Sequence, residues 1–220
     1  MKMPAFIIMF NRLTWPRQMA EFLSDTGCEV FLVDNGSTYP PLLKWYENCP
    51  YTVYNLNANL GHQVLWTCKI LENNHPYIHY YIVTDHDLDI SNVPSDYIDK
   101  LSIEVELHDV HKAGLSLEIN DLPENEMTQK VIEYEKRFWE NPIGKNGFYK
   151  ANIDTTFALY KFRKPYAEFT NAIRAPRPYT ARHLPWYLTK EDLKNNEEEL
   201  YYYANINRNI MSVTCGDWAQ

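Results

Sequence analysis

Over the first half of the chain the apolar residues fall in short unbroken runs. "PAFIIMF" (4–10), "CEVFLVD" (28–34) and "YIHYYIVTD" (77–85) each set several large apolar residues side by side and then stop at polar ones. Runs of this length bounded by turn residues read as strands covered on both faces. Segments of helical length lie between them. "WPRQMAEFLSDTG" carries Pro16 near its first turn and Gly27 as its stop; "PPLLKWYENC" follows the second strand; "HQVLWTCKILENN" follows a third strand in "YTVYNLNANLG". Strands alternating with helices predict βαβ units and a parallel sheet. Right-handed crossovers then bring the strands' carboxyl ends to one edge.

The second half changes character. "SNVPSDYIDKLSIEVELHD" predicts a helix with a connection, "KAGLSLEIND" a strand, and "ENEMTQKVIEYEKRFWEN" an exposed helix. "NIDTTFALYKF" reads as a strand, "APRPYTARHLPWYL" as an ordered loop, and "EDLKNNEEELYYYANI" as a last helix. No internal repeat or flexible linker interrupts the sequence. The expectation is one α/β domain with a Rossmann-like, mostly parallel sheet flanked by helices and a mixed second half.

Composition narrows the function classes. With 45% hydrophobic and 15% aromatic residues the chain can bury a sizeable core. A formal net charge of −8 disfavours a general nucleic-acid surface. The 17 tyrosines and 6 tryptophans suit a core, and equally flat polar ligands such as sugars or bases. Cys28, Cys49, Cys68 and Cys215 form no C-x-x-C pair, so a zinc or redox motif is unsupported and a reduced, cytoplasmic protein is expected. The apolar run in "MKMPAFIIMFNRL" is short for a signal peptide, and no stretch has the length of a membrane span.

Polar residues collect at the predicted strand ends: Asn11 and Arg12 after the first, "DNGS" (Asp34–Ser37) after the second, "NLGH" (Asn59–His62) after the third, and "TDHD" (Thr84–Asp87) after the fourth. In an open α/β sheet, ligands bind outside these ends. "DNGS" alone is ordinary turn chemistry; in this company Asp34 becomes a candidate acceptor for a base or ribose hydroxyl. Neither a G-x-G-x-x-G fingerprint nor a P-loop is present. "DHDLD" reads either as a solvated, helix-capping loop or as a divalent-cation site. Asp85 and Asp87 are two apart in an extended segment and can share one Mg²⁺ or Mn²⁺. Asp89 is assigned a supporting or capping role, and His86 a supporting one.

"PAFIIMFNR", "FLVDNGST", "NLGH" and "YYIVTDHD" resemble, in order and spacing, the nucleotide-sugar half of GT-A-fold glycosyltransferases, family 2 and its relatives nearest. The match covers residues 4 to 90 and the rest in outline. The resemblance implies that Asp85 and Asp87 are the DxD motif, which binds Mn²⁺ or Mg²⁺ on the donor diphosphate. It also implies a nucleotide-binding set of Phe10, Asn11, Arg12, Asp34, Asn35, Gly36, Asn59, Gly61, Thr84 and His86. Where the family usually has two acids before Gly-Ser, this chain has Asp34 and Asn35. Residues 1–100 would hold the nucleotide sugar and 101–220 the acceptor, in one domain.

The family's usual Glu-Asp dipeptide is not evident in the second half, so the base is chosen on chemical grounds. Inverting transfer needs a group that takes the acceptor hydroxyl's proton. Asp154, opening "IDTTFALY", and Asp121, after "LSLEIN", lie at strand ends and are the candidates; each also reads as a turn or capping residue. Glu118 lies inside the "LSLEIN" strand. "IRAPRPYTARHLPWY" gathers Arg174, Arg177, Arg182 and His183, a candidate diphosphate clamp. His183 reads as a third metal ligand or as a structural histidine. Trp186 and Tyr187 read as a sugar platform or as loop anchors.

The expectation is therefore a metal-dependent glycosyltransferase with a nucleoside diphosphate donor, UDP-linked first, and a glycan acceptor, as a whole protein or as one module of a larger enzyme. A nucleotidyltransferase making nucleotide sugars is the first rival, and "FNRLTWPRQ" lacks the Gly-rich loop it would need. A non-catalytic glycan-binding module is the second.

Overall fold

The computed structural model describes residues 2–162 and 170–206. Strands β1 (Met3–Met9), β2 (Cys28–Asp34), β3 (Thr52–Asn55) and β4 (Tyr80–Asp85) are mutually parallel, and helices α1 (Thr14–Asp25) and α2 (Pro40–Tyr46) form the first two crossovers. The third crossover departs from the single predicted helix. Two short helices, α3 (Val64–Thr67) and α4 (Ile70–Asn74), meet at Lys69, which has a left-handed φ of 52°. A residue in that region cannot continue a right-handed helix.

The chain continues through β5 (Leu88–Asp89), α5 (Tyr97–Leu107), β6 (Lys112–Gly114), β7 (Ser116–Leu117) and α6 (Glu126–Glu135), the last opened by a capping box between Asn125 and Thr128. After a 3-10 turn come β8 (Pro142–Ile143), β9 (Phe148–Lys150), β10 (Phe157–Lys161), β11 (Ala172–Arg174) and β12 (Thr180–His183). A 3-10 turn over Leu184–Tyr187 leads to α7 (Lys190–Asn195) and α8 (Glu197–Asn205).

The main sheet runs β3-β2-β1-β4-β10-β6-β11-β9-β8. Its first four strands are parallel, while β10 lies antiparallel between β4 and β6. A small second sheet runs β5-β12-β7. Three further elements differ from the expectation. "KAGLSLEIND" bends at Leu115 and gives β6 to the main sheet and β7 to the small one. The proline-rich segment read as loop contributes β12. The last helix breaks at Asn196, whose extended backbone separates α7 from α8 and whose side chain accepts from Glu199 N.

Both faces of the main sheet are covered, which explains the unbroken apolar runs. Alternate residues of β1 go to opposite sides. Ala5, Ile7 and Met9 pack with Met19, Leu23, Tyr97 and Leu101, from α1 and α5. Phe6 and Ile8 pack with Val64, Leu65, Ile70 and Leu71, from α3 and α4. From β1 the sheet grows outward through β2 to β3, and the chain then returns to add β4 on the other side of β1. That reversal opens the crevice between the carboxyl ends of β1 and β4, where open α/β sheets bind ligands.

Among the described residues no helix is long and apolar enough to cross a membrane. Cys28, Cys49 and Cys68 are free thiols, and Cys215 lies outside the described residues.

Candidate active site

The crevice receives Asn11 and Arg12 from β1 and Asp85 to Asp87 from β4. A second connection also reaches it. Strand β5 pairs antiparallel with β12, Leu88 opposite His183 and Asp89 opposite Arg182, and Leu184 N donates to the Asp87 carbonyl at 2.9 Å. The acidic loop and the basic loop, almost a hundred residues apart in sequence, are thus backbone neighbours.

Asp85 is half-buried. Its backbone N–H donates to Thr156 O at 3.0 Å, and its Oδ1 accepts from the Thr155 hydroxyl at 2.8 Å. Burial, then the Asp154 and Asp87 carboxylates, hold the Asp85 carboxyl well above the usual range. Asp154 itself is exposed, and its Oδ1 accepts from Thr156 N at 3.0 Å. The buried Lys112 anchors this turn from below, its ammonium donating to the Asp154 carbonyl at 3.0 Å.

Asp87 is buried and lies 3.2 Å from Arg12 Nη1. Burial works against its charge, but His183, His86 and Arg12 outweigh that and hold its pKa below the usual carboxylate value. Its Oδ1 stands 3.7 Å from His183 Nε2, beyond hydrogen-bond reach. Asp87 Oδ1 and His183 Nδ1 are both buried without a hydrogen-bond partner. Burial lowers the His183 pKa, which favours the neutral, ligating form of the ring. Among the described residues, no three His, Cys, Asp or Glu side chains are grouped as a ready-made metal site. The donor types do suit one: two oxygen-bearing carboxylates and an imidazole beside them, with one carboxylate oxygen and one ring nitrogen unpartnered.

Arg12, expected at the nucleotide, is turned inward. It is fully buried, its Nε and Nη2 bind Glu199 at 2.8 and 2.7 Å, and its guanidinium lies 3.5 Å from the Tyr202 ring centre. His86 is buried beside it. Its Nδ1 lies 2.9 Å from the Ile8 carbonyl and must carry a proton to donate there, so Nε2 accepts from Arg12 Nη1 at 3.3 Å. Burial pulls the His86 pKa down to about 4, in keeping with a neutral ring. Phe10 meets Tyr202 edge to face, and Thr84 is buried with its hydroxyl on the Asp85 carbonyl. These side chains hold the crevice together.

The "DNGS" turn is also internally satisfied. Asp34 is fully buried, with Oδ2 accepting from Ser37 N and Oδ1 from the Tyr46 hydroxyl, each at 3.0 Å. Asn11 Oδ1 accepts from Thr38 N and Tyr39 N, while its Nδ2 is buried and unpartnered. Asn35 joins the turn to the next loop, accepting from Leu60 N at 2.8 Å and donating to Gly61 O at 3.0 Å. Asn59 accepts from Gly61 N. Gly36 has φ 75°, and a Cβ there would lie 2.8 Å from the Ala58 backbone, so only glycine lets the two loops close.

Each arginine of the expected diphosphate clamp has a carboxylate partner. Arg174 binds Glu135 at 3.0 Å, Arg177 binds Glu118, and Arg182 binds Asp121. Asp121 accepts from Arg182 Nε at 2.7 Å and from the Tyr187 hydroxyl at 2.6 Å. Burial opposes its charge, but Tyr187 and Arg182 together prevail and keep its pKa low, which makes it a weak base. Trp186 is 5% exposed and packs against His183 at 4.6 Å between ring centres, so it belongs to the core instead of forming an open platform.

Glu198, Glu199 and Tyr202 were not legible as site residues. Glu198 Oε1 accepts from Leu13 N and Thr14 N at 2.8 and 2.9 Å and caps α1 from the far end of the chain. "EEELYYY" announces an exposed helix, and nothing local assigns it to Arg12. The chain matches no protein-family model and no curated protein.

Proposed function

We propose that this protein is a metal-dependent glycosyltransferase of GT-A type, which moves a sugar from a nucleoside diphosphate donor to a glycan hydroxyl with inversion. One observation carries the reading. Asp85, Asp87, Asp154 and His183, drawn from separate parts of the chain, gather at the crevice where the strand order reverses. The order of parallel strands around β1, followed by an antiparallel β10, is in keeping with the resemblance seen in the sequence.

Mn²⁺ or Mg²⁺ would be held by Asp85 and Asp87, with His183 beside them; two carboxylates and substrate phosphates commonly make up such a site. When bound, the ion supplies positive charge for the leaving diphosphate. The chain's own groups do the rest. Thr155 orients Asp85, and Arg12 keeps Asp87 ionised and fixed. Asp154 is the exposed carboxylate next to Asp85 and takes the acceptor hydroxyl's proton. The joined loops of Asp34, Asn35 and Gly61 form the wall on which the nucleoside rests.

The test is a screen of nucleotide sugars, UDP-linked first, for Mn²⁺-dependent hydrolysis. The reading predicts turnover of at least one donor that stops on chelation and in Asp87→Asn. Absence of metal-dependent turnover across the common donors would overturn it.

A further inference from the structure

On the small β5-β12-β7 sheet lies a pocket of about 350 Å³, in the size range of small-ligand sites. Its lining includes Asp89, two residues on from Asp87. Across the β5–β12 ribbon, Arg182 faces Asp89, and strand alternation turns this pair to the side opposite that of Leu88 and His183. The pocket is built on the Arg182 side.

Its charges are pinned in pairs. Arg177 forks onto Glu118, Nε to Oε2 at 2.9 Å and Nη2 to Oε1 at 2.6 Å, and rests 4.1 Å from the Trp139 ring centre. Arg182 forks onto Asp121 with Nε at 2.7 Å and Nη2 at 2.6 Å. With Asp89, three carboxylates line the pocket against two guanidiniums. An anion therefore finds no free positive charge there. A ligand made of hydroxyls does find partners, because each hydroxyl both donates and accepts. The paired forks keep spare N–H groups and oxygen lone pairs at fixed angles. The exposed amides of Asn92 and Asn120, on the pocket rim, add a donor and an acceptor each.

We infer that this pocket binds neutral, polyhydroxylated ligands, that is, uncharged saccharide units of an extended acceptor. Its role as acceptor site rests on the glycosyl-transfer reading; its capacity to bind does not. With Asp89 in its lining and Asp87 outside it, the pocket would hold a sugar remote from the reacting hydroxyl. The acceptor is then an oligosaccharide, and acidic sugars are disfavoured at this position.

The test is ligand-observed NMR on the full chain with methyl glucoside, methyl galactoside, methyl mannoside, lactose and cellobiose, and with glucuronic acid as the anionic counterpart. At least one neutral sugar should bind, glucuronic acid should bind more weakly, and Asn92→Ala and Asn120→Ala should each weaken binding by about tenfold, the equivalent of one good hydrogen bond. Both substitutions sit on exposed side chains, and unchanged thermal unfolding would show that the variants are folded. Binding by none of the neutral sugars, preference for glucuronic acid, or full affinity in both variants would overturn the inference. UDP–Mn²⁺ binding measured on the same samples separates the two claims: its loss with sugar binding intact removes the donor reading and leaves the pocket, and the reverse removes the pocket alone.

Discussion

Arg12 and Glu199 form a two-pronged ion pair across 187 residues of sequence, with both side chains 1% exposed. Burial pushes the Glu199 pKa up against the pull of Arg12, yet two contacts of 2.7 and 2.8 Å describe an ionised pair. Removing Glu199 takes from the buried guanidinium the closer of its two carboxylate partners and leaves it Asp87 at 3.2 Å. Glu199→Ala should therefore cost about 3–5 kcal/mol of stability in urea unfolding. The double variant Arg12→Met with Glu199→Leu should recover only part of that, because it also takes the guanidinium away from buried Asp87. A single-variant cost below about 1 kcal/mol, the range of surface pairs, would show that α8 is not locked onto the crevice.

Gly36→Ala tests the closure of the two loops. The methyl would meet the Ala58 backbone at 2.8 Å with φ held at 75°. A destabilisation of about 1–3 kcal/mol is expected from the strain. Loss of amide exchange protection should centre on Asn35 and Leu60.

His75 provides a pH handle away from the acidic cluster. Its Nε2 lies 2.8 Å from the Tyr54 hydroxyl, its ring packs edge-on against Phe31, and burial lowers its pKa. A histidine depressed in the folded state gains its proton first in the unfolded chain. Its contribution is complete above the ordinary histidine pKa and is lost as pH falls toward the folded value. Stability should decline on acidification below pH ~6.5. Because the ring is partly exposed, His75 adds well under the limit of about 1.4 kcal/mol per pH unit. In His75→Gln that part of the slope should vanish, as followed by urea unfolding from neutral to mildly acidic pH.

The choice between the two candidate bases is open to kinetics. Asp154→Asn should lower kcat of donor hydrolysis by about 10²- to 10⁴-fold, the usual worth of a general base. The donor KM should stay nearly unchanged. A loss of that size at Asp121 with none at Asp154 would contradict the assignment.

The parallel half of the fold was legible because burial on both faces writes itself into unbroken runs such as "PAFIIMF" and "CEVFLVD". The direction of β10 was not. "FALYK" is buried throughout, and an apolar run looks the same whichever way it lies between β4 and β6. Breaks inside predicted helices were hidden for a related reason: Lys69 and Asn196 carry no turn signature as strong as Gly or Pro, and their backbone is set by packing. Asp85 and Asp87 could be singled out from their place at the end of a strand, and Asp154 from its place before one. The role of Arg12 could not, since it is decided by Glu199, 187 residues away; nor could those of Asp34, buried against Tyr46, and Trp186, buried against His183, since no motif displays their burial. A sequence displays charge, but not whether that charge is already spent on a neighbour.

The central claim is that the crevice holds a divalent cation on Asp85 and Asp87. Isothermal titration of the chelator-treated protein with Mn²⁺, with and without UDP, tests it most directly. The account predicts weak binding of Mn²⁺ alone, much tighter binding with UDP present, and loss of both in Asp85→Asn and Asp87→Asn. Because burial, and then Asp154 and Asp87, make charge on Asp85 costly, Asp85→Asn should also raise the Tm of the metal-free protein while abolishing the response to metal. Mn²⁺ binding that is absent in the wild type with UDP, or unchanged in both variants, would contradict the account.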